Sequence, residues 1–95
     1  ERMNLMSSGL SLYVLDDGGA DHWIVARDES DARMILHRDF FEVCGVTPPP
    51  DIGCSVETGA ALRFDVDDGA GPVQRSASEW VDWASEPQYL ACSDF

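Results

Sequence analysis

Two short apolar runs open the pattern. Ser11-Leu12-Tyr13-Val14-Leu15 and Trp23-Ile24-Val25-Ala26 are rich in β-branched and aromatic residues, and Asp16-Asp17-Gly18-Gly19-Ala20-Asp21 between them is turn chemistry. The pair predicts an antiparallel hairpin with a long tip. The period then changes. Ala32, Ile35, Leu36, Phe40 and Val43 recur at helical spacings, with Asp28 placed to cap the start, Glu29 and Asp31 in the first turn and Gly45 after the end. Met34 and Phe41 fall off that stripe and are read as additional core, with an exposed contact patch as the alternative.

Thr47-Pro48-Pro49-Pro50-Asp51 is a stiff connection. Cys54–Glu57 predicts a short strand and Ala61–Asp67 a better one, with Leu62, Phe64 and Val66 on one side and Arg63, Asp65 and Asp67 on the other. Asp68-Gly69-Ala70-Gly71 turns the chain, and Pro72–Arg75 returns as an edge strand. Ser76-Ala77-Ser78-Glu79 matches a capping box and starts a second helix that carries Trp80, Trp83 and Ala84 as a core stripe and stops near Pro87. Gln88–Cys92 closes the chain as a strand. The order ββαβ(β)αβ predicts one α+β domain over residues 1–95. Its mostly antiparallel sheet should have four to five strands, with two or more helices packed on one face.

Composition changes the picture through charge. The 95 residues hold 18 acids against 6 bases, a net charge of -12. Twelve of the acids are Asp, every base is arginine and lysine is absent. Such a chain is unsuited to binding DNA, RNA or an anionic membrane by counterion release. It also lacks the lysine that Schiff-base chemistry or a P-loop requires. No apolar run reaches the length of a membrane span, and the first 15 residues do not read as a signal peptide. Cys44, Cys54 and Cys92, an odd number without C-x-x-C spacing, fit free thiols in a reducing cytoplasm.

Catalytic and metal patterns are weak. Asp65-Val66-Asp67-Asp68-Gly69 begins like a calcium loop but lacks the third acidic ligand and the closing Glu. His22, at the start of a strand, and His37, mid-helix, read as surface or partly buried side chains. No G-x-S-x-G elbow accompanies them, and acid pairs suited to glycoside hydrolysis are expected by chance among so many carboxylates. The expectation is therefore a protein that is not an enzyme and carries no cofactor or metal.

The excess acid gathers in three places. They are the hairpin tip (Asp16, Asp17, Asp21), the strand-turn segment (Asp65, Asp67, Asp68) and the second helix (Glu79, Asp82, Glu86), whereas Arg33 and Arg38 nearly balance the first helix. Alternate strand residues lie about 6.6 Å apart and helical neighbours about 5–6 Å apart, close to the roughly 6–7 Å between successive phosphates along a DNA strand. Carboxylates so spaced imitate a phosphate row.

Trp23-Ile24-Val25-Ala26-Arg27-Asp28, Asp31-Ala32 and Ser76-Ala77-Ser78-Glu79-Trp80, in a small acidic chain, resemble the α/β proteins of phages and mobile elements, and among them the anti-CRISPR proteins of the DNA-mimic type. The resemblance implies a positively charged DNA-binding partner, specifically a subunit of a type I CRISPR surveillance complex (Cascade), blocked before it recognises target DNA. It brings no catalytic residue. Three other accounts of the acidity stand beside it: acids that only solvate the surface, a halophilic host, and docking onto a basic protein without nucleic-acid mimicry.

Overall fold

The computed structural model describes residues 9–65 and 72–93, apart from the side chain of Asp65. Strands β1 (Ser11–Asp16) and β2 (Asp21–Ala26) form the expected hairpin, in register from Ser11 opposite Ala26 to Asp16 opposite Asp21. Strand β3 (Gly53–Val56) pairs antiparallel with the other side of β1. A short hairpin of β4 (Leu62–Asp65) and β5 (Pro72–Arg75) makes a separate two-stranded sheet. Strand β6 (Gln88–Cys92) pairs antiparallel with β2, giving the main sheet the order β3-β1-β2-β6.

Helix α1 (Glu29–Leu36) starts where Asp28 accepts a hydrogen bond from the Asp31 N–H. It runs into a π-helical segment (His37–Phe41) and a final α turn (Glu42–Cys44), ending at Gly45 in the left-handed region, φ 69°. Helix α2 (Ala77–Ala84) has both bonds of the capping box, Ser76 to Glu79 and back, and stops at Ser85, φ 60°. Glu86 thus lies beyond the helix that the sequence assigned it to.

The α+β class and the antiparallel sheet hold, but the helices do not share a face. Leu15, Ile24 and Ala26 pack with Ala32, Ile35, Leu36 and Phe41 of the first helix. Leu12 and Val25 point the other way and pack with Trp80 and Ala84 of α2 and Phe64 of β4. Adjacent Ile24 and Val25 are both fully buried, so the central strands are covered on both sides. Hairpin spacing alone does not reveal this, because it sets pairing and not which face a later helix takes.

Inside the first helix the π segment moves the apolar stripe. The Glu42 N–H bonds to His37 O, five residues back, and the wider turn places Phe41 inward where a regular helix would place Phe40. Phe41 is 3% exposed, whereas Val43, assigned to the buried face, is 76% exposed and Met34 is 55% exposed. In α2, Trp80 is fully buried, but Trp83 is not core. It is 43% exposed and packs edge-on against Trp80, with the Arg75 guanidinium over both rings.

The π register has a measurable consequence. Phe41→Ala should destabilise the chain by about 3–5 kcal/mol and Val43→Ala by about 0.5 kcal/mol or less. Urea unfolding checks both, and equal losses would refute the shifted register.

Candidate functional site

The hairpin tip is built by its own carboxylates. Asp16 Oδ1 accepts from the Gly18 N–H at 2.8 Å, and Asp17 Oδ1 accepts from Gly19 at 2.9 Å and Ala20 at 2.8 Å. Asp17 Oδ2 lies 2.8 Å from His22 Nε2, and His22 Nδ1 lies 2.7 Å from the Tyr89 hydroxyl. A carboxylate only accepts, so the Nε2 proton points to Asp17; in the neutral ring Nδ1 then accepts from Tyr89.

His22 is fully buried, which corrects its reading as a surface or partly buried side chain. It faces the same side of the sheet as Ile24. A bulge in the β2–β6 pairing sets Tyr89 opposite Ile24 and Ala91 opposite Trp23, leaving Leu90 as the extra residue. Tyr89 is thereby turned toward His22. Phe40 meets the imidazole edge-on at 4.5 Å and Phe41 at 6.4 Å. Burial, reinforced by a hydrogen bond with Cys92, pushes the Tyr89 hydroxyl well above its ordinary range and keeps it protonated. Burial works to raise the Asp17 carboxyl too, but the hydrogen bonds from His22, Gly19 and Ala20 outweigh it and hold the group below its ordinary value.

A carboxylate, an imidazole, a phenol and a thiol in line resemble a proton relay. The ring nevertheless has no exposed surface and is covered by Phe40. The arrangement supports a satisfied polar core better than a reacting group. A cavity of about 570 Å³ lined by Asp17, Phe40, Phe41, Val46, Thr47 and Pro49 does not count His22 or Tyr89 among its lining residues. Among the described residues no group of three or more His, Cys, Asp or Glu is placed to hold a metal ion.

Of the nine acids singled out by sequence, those that the structure describes do not form one row. Asp67 and Asp68 lie outside the described residues, and Asp65 is on β4. Asp16 is exposed, while Asp17 and Asp21 are half-buried. Asp17 is consumed by the tip and His22. The Glu79 carboxylate accepts from the Ser76 N–H at 2.8 Å, a bond that holds it below its ordinary value. Asp82 and Glu86 are exposed. Asp82 borders Leu10 and Leu12 at the start of β1, whereas Asp16 ends that strand. The two clusters therefore stand about 16 Å apart along β1. Near the first helix the arginines are met locally: Arg27 by Asp31, Arg33 by Glu29 and Arg38 by Asp39. The negative excess is left to the rest of the surface.

Comparison with family models, curated protein sequences and solved structures found no match.

The His22 network makes two predictions. Asp17→Ala leaves the buried Nε2 without its partner and should cost about 1–3 kcal/mol at neutral pH. Because the Asp17 carboxyl is held below its ordinary value of 3.8, its stabilisation is present above that value and disappears as pH falls through the lowered one. The gap between wild type and Asp17→Ala should thus narrow below about pH 4. Unfolding curves across that range test it, and a constant gap would contradict the assignment.

Proposed function

We propose that the chain is a non-catalytic cytoplasmic inhibitor that mimics nucleic acid. In this reading its acidic surface binds the positively charged DNA path of a type I CRISPR surveillance complex and competes with target DNA. The observation that carries the proposal is the net charge of -12 without a single lysine. The local pairing of Arg27, Arg33 and Arg38 adds support, because it leaves Asp16, Asp82 and Glu86 as exposed acids away from those bases. No helix among the described residues is long and apolar enough to cross a membrane. Association driven by such charge is fast and falls with salt.

The separation of Asp16 from Asp82 along β1 favours a second reading. In it the acids solvate the surface of a protein from a high-salt host, or dock a basic protein without imitating nucleic acid.

The test is competition. The chain should displace duplex target DNA from the surveillance complex, less so as salt rises. Each exposed charge contributes about 0.2–1 kcal/mol, so the combined Asp16→Asn, Asp82→Asn and Glu86→Gln variant should inhibit roughly tenfold less well at unchanged stability. Full inhibition by this variant would remove these residues from the interface, and failure of the wild type to displace DNA would refute mimicry. A chain that unfolds at low salt and folds only at molar salt would favour the high-salt reading.

A further inference from the structure

Strand β3 is an edge. Among the described residues it pairs with β1 alone. Its register settles which backbone groups remain on the outside. The Glu57 N–H bonds to Leu12 O at 2.8 Å, and hydrogen-bonded pairs alternate along an antiparallel ladder. Ser55 and Gly53, opposite Val14 and Asp16, therefore bond inward. Cys54 and Val56 turn their N–H and C=O groups away from β1.

The strand is short, four residues, and its own side chains offer little protection to the edge. Gly53-Cys54-Ser55-Val56 carries no charge and no proline, and Val56 is 56% exposed. At Val56 the edge opens into a cleft of about 640 Å³ whose apolar wall includes Leu10, Leu12 and Val81, with Asp82 on its rim. Exposed carboxylates flank both ends. Asp51 precedes the strand and Asp16 stands opposite Gly53 at one end, and Asp82 stands beyond Val56 at the other.

We propose that β3 is a docking edge for an extended basic segment of a partner protein, which adds a strand beside Cys54 and Val56 and seats an apolar side chain in the adjoining cleft. Main-chain hydrogen bonds would supply affinity and the cleft side-chain selection. Charge decides the occupant. A second copy brings another -12 and is repelled, whereas arginine or lysine on the incoming strand meets Asp51 and Asp16 at one end and Asp82 at the other. This goes beyond nucleic-acid mimicry and shares with it only the basic character of the partner.

The test uses the full chain and a short synthetic peptide of alternating arginine and valine, with a glutamate–valine peptide as comparator. The basic peptide should slow amide exchange at Cys54 and Val56, and the acidic one should not. Val56→Pro removes an outward N–H while sparing the bonds to β1. It should weaken peptide binding about tenfold with little change in thermal midpoint. If that variant does not fold, Val56→Lys keeps the ladder, places a like charge on the edge and should weaken binding comparably. Unchanged exchange at Cys54 and Val56 under saturating basic peptide, equal protection by the acidic peptide, or undiminished binding by a folded variant would overturn the proposal. A chain that protects these amides but does not displace DNA refutes mimicry alone. One that displaces DNA without a peptide-protected edge refutes the edge site alone.

Discussion

The buried imidazole of His22 is the constraint around which one half of the molecule is arranged. A polar ring without solvent must have its nitrogens satisfied, and the partners come from distant parts of the chain. Asp17 belongs to the hairpin tip and Tyr89 to the last strand. The aromatic cover comes from the π segment. The β6 bulge and the π turn each break a regular element, and each break brings an aromatic residue to this ring. A regular β6 would set Leu90 opposite Ile24 in place of Tyr89, and a regular helix would turn Phe41 away from the core.

The other face of the sheet is simpler. Leu12, Val25, Phe64, Trp80 and Ala84 form an apolar cluster. The polar atoms of its large rings are directed outward, with Trp80 Nε1 donating to Leu62 O and Trp23 Nε1 to Glu57. Those bonds tie the β4–β5 hairpin to α2 and the end of β3 to β2, and Glu57 also lines the cleft beside Val56. Leu12 belongs both to this cluster and to the wall of the cleft.

Charge and fold divide the carboxylates between two tasks. Asp17, Asp28, Glu57 and Glu79 accept hydrogen bonds that build a tip, a helix start, a strand end and a capping box. Asp82 and Glu86 are exposed, and Asp16 does both, accepting from the Gly18 N–H in the tip while staying exposed. Asp16 and Asp82 lie toward opposite ends of β1.

The sequence by itself determined the local elements. The hairpin, the Asp28 cap, the Ser76–Glu79 box and the Leu62/Phe64 alternation are written in neighbouring residues, and the hydrogen bonds or side-chain period that make them span only a few positions. Composition likewise determined the net charge. What only the tertiary structure decided is long-range. It put the helices on opposite faces, buried His22 between Asp17 and Tyr89, shifted Phe41 inward and Val43 outward, and set Asp16 and Asp82 toward opposite ends of β1. A histidine beside a turn carries no local sign of a partner 67 residues away. A π turn or a bulge costs regular hydrogen bonding that its own segment does not recover. Both are selected by packing against the rest of the chain, and that energy exists only once the sheet and helices have met.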